Sequence, residues 1–152
     1  MKWWLIFVVG AAFAWGTYVP LLHQGQQELG RPSALRAFLF VGIAYFLTAV
    51  LLPGILLWGF KAEPLTFNMK GAGFSLVAGV AGAAGALCVA FAILKGGKPV
   101  IVAPLIFAGA PMINTLVSMV WHPPATTPKP IFFIGILMAA VGAGIALWSK
   151  PS

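Results

Sequence analysis

Charged residues are scarce in this chain. Of 152 residues only 7% are charged, two of them are acidic (Glu28 and Glu63), and 61% are hydrophobic. A soluble globular domain carries about 25% charged residues. The composition therefore excludes a soluble domain. We expect Glu28 in a loop His23–Ala34 and Glu63 in a loop Phe60–Lys70, so that no apolar segment carries a carboxylate for a proton relay.

Long apolar runs take the place of the missing charge. A run of about 18 residues or more predicts a membrane-spanning helix, because roughly 20 residues cross a hydrocarbon core. The runs are continuously apolar rather than alternating, which favours helices over barrel strands. We predict an all-α integral membrane protein, one compact five-helix bundle over residues 1–152 with no soluble domain and with its termini on opposite sides. The predicted spans are about Trp3–Leu22, Leu35–Gly59, Gly71–Leu94, Pro99–Trp121 and Ile131–Trp148.

An alternative interpretation of the first run is a cleaved signal peptide, since Ala12-Phe13-Ala14 resembles a cleavage site. The apolar run continues to Leu22, about a full membrane thickness. We therefore expect an uncleaved first span.

Cysteine and catalytic constellations are also missing. Cys88 is the only cysteine, so no disulfide forms within the chain, and we expect a small apolar filler there. The two histidines, His23 and His122, fall on opposite membrane sides and cannot bind one metal or haem within a monomer, although they could approach in an antiparallel dimer. No nucleophile–base pattern or phosphate loop is present. We expect no enzyme activity and no cofactor or metal.

The net charge of +7 comes from basic residues placed singly at span ends. Lysine and arginine are common there because their side chains extend to the lipid headgroups. Nucleic-acid binding is not expected, because no basic patch is interleaved with aromatics. Orientation follows from the difference in positive charge between the two sides, and here the difference is one. Either partner subunits fix the orientation, or the chain inserts both ways and pairs antiparallel with itself. One side holds Lys2, Lys61, Lys70 and Lys129; the other holds Arg31, Arg36, Lys95, Lys98 and Lys150.

Stripes of small residues mark the third and fifth spans. Because lipid provides no hydrophobic drive between helices, association depends on close backbone approach, which such stripes permit. We expect helix packing at these faces. The stripes are Gly71, Ser75 and Gly79, then Ala78, Gly82 and Ala86, and in the fifth span Gly135, Ala139 and Ala143.

The first and fourth spans carry the candidate binding residues. Pro104 and Pro111 lie two turns apart, and Asn114, Thr115 and Ser118 continue roughly that face. A proline-interrupted span with a polar stripe is typical of a transport site, although a static kink satisfied by neighbouring helices gives the same pattern.

Two aromatic residues share a face of the first span, Trp15 and Tyr18. Trp15 lies deep enough in the span to line a cavity. Tyr18 either joins it there or anchors the helix at the membrane interface.

Several short motifs together resemble the EamA-type domain of the drug/metabolite transporter superfamily. The resemblance covers nearly the whole chain, and two departures are Trp121-His122 where members often have Gly-Glu and a longer, proline-rich connector before the fifth helix. The matching stretches are Trp15-Gly16, Leu35-Arg36, Ala92-Ile93-Leu94-Lys95 followed by Pro99, Val102-Ala103-Pro104-Leu105, Pro111, and the pair Gly135 and Gly142.

The resemblance implies a transporter or permease half-unit. Members typically have two such units in one chain, inverted around a substrate cavity, so a single unit would work as a homodimer, including an antiparallel one. Small metabolites and amphiphiles are the family's substrates, and we expect a bacterial inner (cytoplasmic) membrane. The alternative is a non-transporting accessory subunit of a larger membrane complex. The expected cavity lies among the first, third and fourth spans, with Trp15, Tyr18, Pro104, Pro111 and Asn114.

Overall fold

Five long helices make up the fold, as predicted. The structure, a computed structural model, describes residues 2–149, and that part of the chain contains no strand. The shortest helix has 19 residues, about 28 Å at 1.5 Å per residue, which matches the hydrocarbon core. All five are long and apolar enough to cross a membrane. They are α1 (Trp4–Glu28), α2 (Ala34–Gly59), α3 (Met69–Leu94), α4 (Pro99–Trp121) and α5 (Pro130–Trp148).

Local sequence explains where the helices begin and end. The Asn68 side chain caps α3 by accepting a hydrogen bond from the Lys70 amide at 2.9 Å. Pro99 and Pro130 occupy the first turns of α4 and α5, where a missing N–H costs nothing. After α3, Gly96 adopts a φ of 98° and donates to the Ile93 carbonyl at 3.0 Å, a conformation that glycine permits.

Helix α1 is longer than predicted. We expected it to end near Leu22 and expected Glu28 to lie in a loop, but α1 continues to Glu28. The additional turns are stabilised because one side of them is buried, at Leu22 and Gln26, and because Gln24 donates to the Glu28 carboxylate at 2.7 Å. The predicted loop His23–Ala34 shrinks to the residues between α1 and α2.

Helix α2 is widened on both sides of Pro53. The stretches Leu47–Leu51 and Ile55–Gly59 are π-helical, and Leu52 donates to the Leu47 carbonyl five residues earlier. Pro53 has no N–H and its ring crowds the preceding turn, so the wider turns accommodate it. The equivalent prolines of α4 have no such effect, because α4 is α-helical through Pro104 and Pro111.

The chain divides into two compact units. One is Pro20–Gly96, containing the end of α1, all of α2 and all of α3. The other contains the remaining described residues, 2–19 and 97–149, where α4 packs against α5.

The core of the Pro20–Gly96 unit lies where α2 begins and α3 ends. Its side chains are mostly small, and Ala90 and Ala86 are 0% and 1% exposed. Since lipid is as apolar as these side chains, the packing is stabilised by close contact rather than by removal from water. The buried residues of this unit are Leu22, Gln26, Ser33, Ala34, Ala37, Ala86, Val89, Ala90 and Ile93.

Three polar side chains join the segments of this core. The Gln26 amide donates to the Ala90 carbonyl at 2.9 Å, and the Ser33 hydroxyl donates to the Gln26 carbonyl at 2.8 Å. Arg36 donates to the carbonyls of Gly30 and Pro32 at 2.8 and 2.7 Å. Gln26 and Ser33 are buried, so water does not compete for their hydrogen bonds.

Candidate functional site

Trp15 and Tyr18 form an aromatic pair on α1. Their ring centroids are 5.6 Å apart and the planes meet at 63°, an edge-to-face geometry that the ring quadrupoles favour. Trp15 is 44% exposed and Tyr18 is half-buried. The Thr17 hydroxyl donates to the carbonyls of Phe13 and Ala14, so it is satisfied by its own helix. The hydroxyl oxygen of Tyr18 is buried, so the pair presents ring surface rather than a hydroxyl.

The polar face of α4 is open. Pro104, Pro111 and Asn114 are all exposed, and Thr115 is half-buried. A carboxamide has two donor hydrogens and an acceptor oxygen, and in Asn114 these project from a helix that crosses the membrane. The site residues of α4 thus face outward from the single chain.

The structure brings the predicted cavity residues together in part. Trp15 and Tyr18 touch, whereas Pro104, Pro111 and Asn114 are related by sharing one helix and one face. All five belong to the same compact unit. Helix α3, also predicted to line the cavity, belongs to the other unit.

An open groove, which the sequence did not reveal, lies between α2 and α3. Its volume is about 1050 Å³. One wall is the small-residue stripe of α3, Gly71, Ser75 and Gly79, extended by Ala83. The opposite wall is Ala49 and Val50, in the π-helical part of α2, and Thr66, Phe67 and Asn68 close one end.

The predicted packing stripes are uncovered within the chain. No atom of another part of the chain would lie within 4 Å of a Cβ added at Gly71, Gly79, Gly82 or Gly135. Ser75 and Ala139 are also exposed. Two members of the stripes are covered: Ala86 is buried in the core and Ala143 of α5 is half-buried.

Among residues 2–149, no three His, Cys, Asp or Glu side chains are placed to hold a metal ion. Cys88 is exposed on the surface of α3. His23 is half-buried on α1, and His122 is exposed just after α4.

Two features were missed in the sequence. Pro53 was the available signal for the widened turns of α2, since a proline inside a helix removes a hydrogen bond and crowds the preceding turn. Gln26 was the signal for the buried hydrogen bond to α3, because a long amide side chain close to an apolar run needs a partner when it is buried.

No family model matches the chain, and no curated protein or solved structure is significantly similar to it.

Proposed function

We propose that the chain is a half-unit of a membrane transporter or permease for a small metabolite or amphiphile, in a bacterial inner membrane. The observation that supports this most is the exposed Asn114 carboxamide on α4. The resemblance to EamA-type domains supports the same function.

Asn114 lies well inside the membrane-spanning length of α4. It lies seven residues before the end of α4 at Trp121, about 10 Å along the axis, which places it inside a hydrocarbon core about 30 Å thick. Transfer of an amide into a medium without hydrogen-bonding groups costs several kcal/mol. A second subunit, a wet cavity or a polar substrate would remove that cost.

Homodimerisation would close the site. The faces of Trp15 and Tyr18 would stack against an apolar or cationic part of the substrate. Asn114 would donate or accept a hydrogen bond, and Pro104 and Pro111 would make α4 easier to bend where it meets the substrate.

Cross-linking across the proposed cavity tests this function. In a Cys88→Ser background, Asn114→Cys in membrane vesicles should give a homodimer with a flexible bifunctional thiol reagent. The matched control is Leu116→Cys, which is 65% exposed but points to another face of α4, and it should give little dimer. Cross-links to other polypeptides alone, or none from Asn114→Cys, would refute the transporter proposal.

The near-equal charge of the two sides leads to a separate prediction about orientation. If the dimer is antiparallel, a reporter tag at either terminus should be found on both sides of the membrane in comparable amounts. Adding two lysines to the loop between α2 and α3 should then shift the population to one orientation. A single orientation of the unmodified chain would exclude the antiparallel form but not a parallel dimer.

The second candidate function is a non-transporting accessory subunit. The uncovered glycines of α3 and α5, Gly79 and Gly135, favour it, because such faces fit helices of other proteins. In that case the chain should purify in mild detergent only with heterologous partners, and the Pro104–Pro111 face should be dry and covered by one of them.

A further inference from the structure

We propose that the groove between α2 and α3 is a binding site for one anionic phospholipid, with an acyl chain along the α3 stripe and the phosphate next to Lys70. This inference does not depend on the proposed transport function. It rests on the groove's length, its walls and the charge at its closed end.

The length of the groove along α3 is close to the thickness of one leaflet. From Gly71 to Ala83 the axis of α3 rises about 18 Å, and half of a hydrocarbon core is about 15 Å. The groove therefore has the length of one acyl chain within a single leaflet.

The walls leave a channel because α2 and α3 touch mainly at the other end. There Ala34 and Ala37 of α2 are buried in the same core as Ala90 of α3. Toward the groove, the α3 stripe has no side chain larger than serine, and Leu76 and Val80 beside it are 72% and 69% exposed. The result is an apolar channel that opens sideways to the bilayer.

The closed end of the groove is polar, and a lysine lies next to it in the chain. Thr66 and Asn68 lie there, and Lys70 follows at the first turn of α3. Lys61 lies on the same connector, where a smaller pocket of about 400 Å³ also contains Glu63. Lys61 and Glu63 do not line the groove itself, whereas Lys70 is adjacent in the chain to Gly71, which does. A lysine at this position favours an anionic headgroup over a zwitterionic one.

Native mass spectrometry of the full chain from nanodiscs containing phosphatidylglycerol and phosphatidylcholine tests the site. We expect one phosphatidylglycerol retained per chain. Gly79→Leu fills the groove and should abolish retention. The control Gly73→Leu makes the same change at an equally open glycine of α3 that does not line the groove, and it should retain the lipid. Equal retention by both variants would overturn the proposal.

A separate variant tests the proposed contact between Lys70 and the headgroup. Lys70→Ala should reduce the preference for phosphatidylglycerol over phosphatidylcholine about fivefold, which corresponds to about 1 kcal/mol per basic residue. Lys98→Ala, at the start of α4, should leave the preference unchanged. An unchanged preference in Lys70→Ala would contradict the assigned position of the phosphate.

Photolabelling of the unsubstituted chain keeps the test decisive even if Gly79→Leu does not fold. Phosphatidylglycerol with a diazirine on its acyl chain should label α3 between Gly71 and Ala83 more than α5. Even labelling of all five helices would indicate ordinary boundary lipid and refute the site. So would cross-linking of Ser75→Cys, in the Cys88→Ser background, to another polypeptide, since a protein would then occupy the groove.

Discussion

Gln26→Glu should destabilise the folded protein by about 3–5 kcal/mol, the usual cost of a buried charge without a partner. Gln26 is 4% exposed, and its amide nitrogen lies 2.9 Å from the Ala90 carbonyl oxygen. A carboxylate there would turn a donor–acceptor contact into two facing acceptors, with no water to separate them. Loss of helical circular dichroism against denaturant or temperature in detergent measures the change.

Gln27→Glu is the matched control. It makes the same substitution one residue further along α1, at an exposed position, and should change stability by less than about 0.5 kcal/mol. Gln26→Leu separates charge from hydrogen bonding. It removes the donor without adding charge and should cost about 0.6–1.7 kcal/mol, the range for interhelical hydrogen bonds in membranes. If Gln26→Glu were no less stable than Gln26→Leu, the buried contact would be absent in the protein.

Ala90→Leu should destabilise the same core by at least the cost of overpacking, about 1–3 kcal/mol, because it also displaces the Gln26 side chain. Ala90 is 0% exposed, in contact range of the end of α1. Three added carbons would push α1 away from α3 and lengthen the Gln26 hydrogen bond. The same unfolding measurement applies, and protection of the Gln26 side-chain amide from hydrogen exchange should fall with it.

Ala81→Leu is the control for this change, because Ala81 is on α3 but exposed. Leucine faces lipid there at no packing cost, so stability should stay within about 0.5 kcal/mol of the unsubstituted chain. Equal effects of the two leucines would mean that α1 does not pack on α3 at Ala90.

The helices were readable from the sequence because membrane insertion depends on length and hydropathy, which are local properties. The boundaries of α4 matched the prediction, Pro99–Trp121, because a proline begins the helix and the proline-rich connector follows it. The end of α1 could not be predicted from the sequence, since the residues from His23 to Glu28 are polar enough for a loop. They stay helical because one side of that turn packs into the Pro20–Gly96 core.

The candidate site, too, was predictable from the sequence only in part. That Trp15 and Tyr18 share a face follows from their spacing, and their 5.6 Å contact agrees with it. The effect of a proline did not follow from its presence. Pro53 is flanked by π-helical turns, whereas Pro104 and Pro111 lie in regular α-helix.

The sequence by itself determined that this is a membrane protein of five helices, because long, continuously apolar runs fit helices that satisfy their own backbone hydrogen bonds in lipid. Only the tertiary structure decided what each face of those helices meets. The stripe from Gly71 to Gly79 looked like a packing surface, yet it lines an open groove, while Gln26 and Ala90 form the buried contact. The reason is physical: small residues permit close approach, but contacts distant in sequence select which of the permitted faces is used.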